Sequence, residues 1–189
     1  MLRDRLLAAL VLALLGGPAP ASEVVPAKGS IEIAFSPTDD PEALIIGAID
    51  AAHSALLVQA YVFTSRNIAG ALVRAHQRGV RVEVLADAKM NARDKGNAIP
   101  LLLEAGIPVA FETAFAAAHN KVLIVDADGP GCALLTGSYN FTWSARNRNA
   151  ENVLLLKDNC ELARIYRANW LRHREQATAV KRLPFNPGP

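Results

Sequence analysis

The chain has 189 residues, 51% of them hydrophobic, with 20 basic and 18 acidic side chains and a formal net charge of +2. That length is enough for one well-buried core. The near balance of charge excludes bulk electrostatic attraction to a polyanion, so any nucleic-acid contact must come from a local basic patch.

The first residues, MLRDR, are net positive. LLAALVLALLGG is apolar but short for a membrane span, and Ala19-Pro20-Ala21 offers a small-x-small cleavage site before Ser22. These features predict a signal peptide over residues 1–21, a periplasmic or secreted protein, and one mature domain over 22–189; an uncleaved N-terminal anchor is the alternative. Two of the 20 basic and one of the 18 acidic residues fall in the leader, which leaves 18 and 17. No stable membrane association is expected after cleavage.

The mature chain alternates in character. IEIAF (31–35) reads as a strand, PEALIIGAIDAAHS (41–54) as an amphipathic helix with Asp39, Asp40 and Glu42 at its positive end, and ALLVQAYVF (55–63) as a buried strand. SRNIAGALVRAHQRG (65–79) reads as a helix closed by Gly79, VRVEVLAD (80–87) as a strand, NAIPLLLEAG (97–106) as a short helix interrupted near Pro100, and IPVAFE as a strand. A hairpin of two apolar runs, VLIV and ALLTG, is followed by the strand NVLLLK (152–157) and a helix from about Asn159 to Gln176. The Pro-bearing tail, 184–189, is expected to be disordered. Strands interleaved with helices predict an α/β fold, a mixed sheet sandwiched between helices.

The chemistry concentrates between His119 and Asn152, HNKVLIVDADGPGCALLTGSYNFTWSARNRNAEN. Side chains two apart on a strand share a face, so His119 and Lys121 project together at the start of VLIV and can share one phosphate. Ser138 and Asn140 have the same spacing after ALLTG, and a hairpin brings the two pairs to one edge. An ammonium and a carboxamide there suit the charge that spreads over non-bridging oxygens when a phosphodiester is displaced. Asp126 lies an odd number of residues from His119, which turns it away from that face and gives it a structural role. No His-Glu-x-x-His, Cys-x-x-Cys or carboxylate cluster marks a metal site, so neither a metal nor another cofactor is expected.

His119-x-Lys121-x4-Asp126 followed by Gly137-Ser138-x-Asn140 resembles the signature of the phospholipase D superfamily. YVFT and RGVRVEVLAD extend the resemblance, over the mature chain, to its compact, single-motif, periplasmic endonuclease branch. The resemblance implies a phospholipase D-like fold, His119 as nucleophile or acid, Lys121 and Asn140 as phosphate holders with Ser138 in support, Gly137 and Asp126 as structural members of the motif, and Glu151 as the carboxylate that orients the imidazole. In that superfamily two histidines from two motif copies divide attack and protonation. One copy here implies a homodimer with a composite site. His53, His76 and His173 fall in segments that read as helix and are expected to be surface or interface residues.

Around the motif, Lys89, Arg93 and Lys95 in one loop and Arg146 and Arg148 in another are either phosphate contacts or solvated charges. Trp143 either stacks on a base or packs at a dimer seam, and Tyr139 is equally open. Cys132 precedes ALLTG and Cys160 follows NVLLLK, so antiparallel pairing of those strands makes a disulfide feasible; two separate thiols are the alternative. The reading is a metal-independent, nonspecific endonuclease acting on DNA and also RNA through a phosphohistidine. A lipid phosphodiesterase with the same chemistry, a phospholipase D or cardiolipin hydrolase, is the alternative.

Overall fold

Eight strands join in one mixed sheet in a computed structural model that describes residues 22–92 and 96–183. The expected leader and tail, and Arg93 and Lys95, lie outside the described residues. In chain order the elements are β1 (Ser30–Ser36), α1 (Pro41–Asp50), β2 (Ala55–Ala60), α2 (Arg66–Gln77), β3 (Arg81–Asp87), α3 (Ala88–Asn91), α4 (Ile99–Glu104), β4 (Val109–Glu112), β5 (Lys121–Val125), β6 (Ala133–Gly137), α5 (Trp143–Asn147), β7 (Glu151–Lys157), α6 (Cys160–Gln176) and β8 (Thr178–Val180). The sheet order is β1-β7-β6-β5-β2-β3-β4-β8. β2, β3 and β4 run parallel, and the other pairings are antiparallel.

Strand alternation decides the layers. Leu56, Val58, Leu123, Val125, Leu135, Val153 and Leu155 point to the face covered by α1, α2 and α4, whereas Leu57, Leu85, Ala110, Val122 and Ile124 point to the face covered by α6. Trp170 anchors α6 by burying its ring there and donating Nε1–H to the Val58 carbonyl at 2.9 Å. The expected α/β sandwich is the observed one.

Several boundaries differ from expectation, each for a local reason. α1 starts where predicted, with Asp40 accepting from Ala43 N–H and Pro41 in the first turn, but it stops at Asp50. The backbone of His53, Ser54 and Ala55 is instead pinned by a carboxylate. β2 ends at Ala60, and Phe63 bridges to Phe141. Pro100 sits in the first turn of α4, where its missing N–H has no helical partner to lose, so it starts the helix rather than interrupting it. The two short helices α3 and α5 and the three-residue β8 were not expected; each is too short for periodicity to register.

The carboxylate that pins residues 53–55 is Asp126. It leaves β5 with φ 43°, a left-handed conformation that Asp tolerates, and is 2% exposed. Its Oδ1 accepts from Ser54 N–H (2.8 Å), Ser54 Oγ–H (2.6 Å) and Ala55 N–H (2.7 Å), and its Oδ2 from His53 N–H (2.8 Å). Burial alone would raise this carboxyl, but the bonds from Ser54, Ala55 and His53 outweigh it and hold it below its ordinary value. At the same end of the sheet Cys132 and Cys160 form a disulfide with Cα atoms 5.3 Å apart, tying β6 to the start of α6.

A carboxyl whose pKa is depressed on folding contributes stability above its unfolded value, 3.8, and loses that contribution as pH falls through the folded value. Asp126→Asn keeps the shape but can offer only one acceptor oxygen. It should cost about 2 kcal/mol in denaturant unfolding near neutral pH and should flatten the loss of stability below about pH 4. An unchanged midpoint would refute the locking role.

Candidate active site

The opposite end of the sheet gathers the motif. Lys121 opens β5 beside Ala60 of β2, while β6 ends at Gly137 next to Val153 of β7. A Cβ on Gly137 would fall 2.2 Å from the Asn152 carbonyl oxygen, so the close approach of β6 to β7 admits only glycine. Ser138 N–H then donates to the Asn152 carbonyl (3.1 Å), which carries the pairing one residue past the strand and sets Asn140 beyond it.

His119 is exposed and Lys121 is buried, at 5%. The Lys121 Nζ donates to the His119 carbonyl at 2.8 Å and lies 2.9 and 3.3 Å from the two imidazole nitrogens. The two lone-pair directions of an imidazole diverge, so an ammonium this near to both aligns with neither and sits against the ring. Tyr61, just past β2, completes the enclosure: its ring centroid is 4.1 Å from that of His119 and 4.7 Å from Nζ. Burial pushes the Lys121 ammonium below its ordinary value, and the nearby Glu151 carboxylate draws it part of the way back.

Glu151 does not hydrogen-bond to His119 within the chain, contrary to the expectation that it orients this imidazole. Its Oε2 accepts from Ser138 Oγ–H (2.6 Å) and its Oε1 from the Asn149 amide (2.8 Å). Ser138 Oγ in turn accepts from Asn152 N–H at 3.1 Å. Ser138 thus links the ends of β6 and β7. The Asn140 carboxamide oxygen is buried without a hydrogen-bond partner among the described residues.

Arg146, expected as a phosphate contact or a solvated charge, is paired within the chain. Its two terminal nitrogens meet Glu42 (2.5 Å) and Asp40 (2.6 Å), tying α5 to the start of α1. Burial opposes the guanidinium charge, but Glu42 and Asp40 outweigh it and hold Arg146 above its usual value. Glu42, 3% exposed, also accepts from Ser65 Oγ–H and from the Asn67 amide at 3.3 Å, so it is a bracket between α1, α2 and α5 rather than a helix-end charge. Tyr139 is buried near the same bracket, its hydroxyl without a partner among the described residues; burial, then Glu42, pushes its ionisation up. Arg148 lies over the Trp143 ring at 4.8 Å, both exposed, and Lys89 Nζ donates to the Ala116 carbonyl at 3.1 Å, three residues before His119.

His53 is at the surface. His173 is not a bystander: its Nδ1 lies 2.5 Å from Glu112 Oε1, and Glu112 is 3% exposed. Tyr61, Glu112 and Gln59, all near the site, had no sequence signal as site residues. A tyrosine or a glutamate ending an apolar strand has the same pattern whether it faces solvent or a neighbouring loop.

A sheet of this order, with an imidazole and a buried ammonium two residues apart at a strand end and Gly-Ser-x-Asn on the next strand, defines a phosphodiesterase site. The family profile described as "Cardiolipin synthase, PLD-like domain" matches residues 45–173, and the chain belongs to the phospholipase D superfamily. It is a phosphodiesterase hydrolase of that superfamily. It is 36% identical over 153 residues to a phospholipase D of Rickettsia prowazekii, which spans 81% of this chain and 72% of the relative. It is 36% identical over 137 residues to the mouse mitochondrial cardiolipin hydrolase, covering 72% of this chain and 59% of that protein. Among solved structures, a phospholipase D family member, Nuc from Salmonella typhimurium, superposes with a TM-score of 0.75 at 31% identity, covering 81% of this chain and 99% of the other.

The bracket and the exposed cation separate by mutation. Arg146→Met should strand Glu42 and cost about 1–3 kcal/mol of stability, whereas Arg148→Met should leave the denaturant midpoint unchanged. Equal midpoints for the two variants would contradict the assignment.

Proposed function

We propose that the protein is a homodimeric endonuclease that cleaves DNA, and RNA as well, with little sequence preference and without a metal ion. The observation that carries the reading is the exposed His119 imidazole set against the buried Lys121 ammonium, on a surface open to a second molecule. His119 attacks phosphorus and forms a phosphohistidine; His119 of the partner subunit protonates the leaving oxygen and afterwards activates water. Lys121 and the Asn140 carboxamide hold the non-bridging oxygens, and Ser138 keeps the two strand ends in register. Glu151, bound to Ser138 and Asn149 in its own chain, faces out as an acceptor for the imidazole across the two-fold axis.

Nucleic acid is favoured by the exposed Trp143 and Arg148 pair one turn beyond Asn140, an aromatic face and a cation suited to a base and its phosphate. The solved relative that carries the name Nuc matches over almost its whole length, which supports the same substrate. The second reading, a lipid phosphodiesterase, draws on the relatives named phospholipase D and cardiolipin hydrolase and on an apolar row, Ile31, Ile33 and Phe35, each more than half exposed on the edge strand β1. That row runs toward Ser36, which pairs with Glu151 at the site.

Assay of one preparation on plasmid DNA, RNA and anionic phospholipid vesicles, in excess EDTA, separates the readings. Nucleic-acid cleavage should persist under chelation and vesicle turnover should be minor. Activity restored only by added divalent ions would refute the metal-free route. His119→Ala should lower turnover by several orders of magnitude with the fold intact. When equal amounts of wild type and His119→Ala exchange subunits at random, a shared site leaves about a quarter of the activity and independent sites leave about half. A rate that falls on both sides of a pH optimum is also expected, because one imidazole must be neutral to attack while the other is protonated to donate.

A further inference from the structure

His119 is next to last in an eight-residue connection, Thr113-Ala-Phe-Ala-Ala-Ala-His-Asn120, that has no regular structure. Four alanines and a threonine give it almost nothing with which to grip the fold. Before His119 its one long side chain is Phe115. Side-chain bonds to its backbone hold it: Lys89 Nζ donates to the Ala116 carbonyl, Ala118 N–H donates to the buried Asp87 Oδ2 at 2.8 Å, and Lys121 Nζ donates to the His119 carbonyl.

Phe115 rests on a built platform. Its ring stacks on that of His173, in the last turn of α6, with centroids 4.9 Å apart and planes at 27°. The imidazole is fixed from behind by Glu112 at the end of β4, whose Oε1 also accepts from the Gln59 amide at 3.0 Å and whose Oε2 accepts from it at 3.2 Å. Gln59 and Glu112 are 2% and 3% exposed. Gln59 Nε2 also lies 3.1 Å from His173 Nδ1, but both are donors toward the same carboxylate, so sharing Glu112 is what brings them together. A buried carboxylate left unpaired is costly, and this one is satisfied only when the imidazole stands in a single orientation. That orientation presents a flat face to Phe115.

We propose that His173 is a positioning residue for the reaction: Glu112 and Gln59 fix its ring, its ring seats Phe115, and Phe115 sets where the loop delivers the His119 imidazole beside Lys121. The proposal rests on the reading of His119 as the reacting group, and on no choice between nucleic-acid and lipid substrates. A displacement of about 1 Å at a reacting atom costs up to about a hundredfold in rate while barely altering ground-state binding. Loss of the platform should therefore act on kcat.

The test uses the full chain with a small phosphodiester, bis(4-nitrophenyl) phosphate, which engages the reacting groups without the wider surface. His173→Ala and Phe115→Ala should each lower kcat about tenfold or more with KM within about twofold of wild type. His173→Arg, which restores a planar donor to Glu112 and a flat face to Phe115, should recover kcat to within about threefold. Trp170→Phe, on the same helix but bonded to the Val58 carbonyl rather than to Glu112, serves as a control for general loosening of α6; it should lower the melting temperature and leave kcat near wild type. Retention of wild-type kcat in Phe115→Ala or His173→Ala overturns the proposal. So does a fall in Trp170→Phe that matches theirs, since it would trace the effect to α6 stability. A wild-type protein inactive on every phosphodiester, or a His119→Ala variant with normal turnover, would instead bring down the underlying reading.

Discussion

The site is organised around one cation that the fold has taken out of water. Lys121 is the first residue of β5, and its ammonium is met by a backbone carbonyl, an imidazole ring and the face of Tyr61. Among the described residues no carboxylate is hydrogen-bonded to it. A buried ammonium satisfied only by neutral groups keeps a strong unmet attraction for an anion. Phosphate supplies that anion. The contrast is with Arg146, nearby in sequence to the motif but already paired with Glu42 and Asp40, which ties α5 to the start of α1.

The motif divides between the two ends of a single strand. Lys121 and His119 stand at the start of β5, and Asp126 follows its end, where it fixes the turn before β2 through three backbone N–H groups and a hydroxyl. β2 and β5 are antiparallel neighbours, so locking the beginning of β2 to the end of β5 sets their register. The register then decides that Ala60 lies opposite Lys121 and that Tyr61, one residue further, reaches His119. An aspartate remote from the chemistry thus determines which side chain stacks on the reacting imidazole.

What the sequence made legible was set by range. Strand alternation and turn residues act over a few positions, so the order of strands and helices, the pairing of His119 with Lys121, and the separation of Asp126 from them could be read directly from the chain. Partnerships that depend on which helix lies over which strand could not. Arg146 follows Asn140 in a basic stretch and looks like a phosphate ligand; only the packing of α5 against the start of α1 turns it toward Glu42 and Asp40. His173 lies more than fifty residues from His119 in a helix with a polar outer face, and its pairing with Glu112 exists because α6 crosses the sheet on the side to which Glu112 points. Glu151 illustrates a different limit. Its position after the Gly-Ser-x-Asn element is a local fact, whereas its partners Ser138 and Asn149 follow from how the ends of β6 and β7 lie side by side.

Openness is the last constraint. The groups of the site sit along one end of a sheet, with His119, Ser138 and Asn152 exposed and, among the described residues, nothing closing over them. Electrostatic stabilisation of a transition state is strongest where water is excluded, and a flat, solvated edge gives that up. In the proposed homodimer a second copy facing the first would restore the enclosure and bring a second imidazole, so the contact that completes the acid and base pair would also dry the phosphate between them. A chain with one motif therefore has no need of a lid. On that reading the rate would depend on how rigidly each half presents its own imidazole, and an alanine-rich loop can do that only if something beneath it is stiff. The carboxylate, amide and imidazole under Phe115 are the groups placed to give it that stiffness.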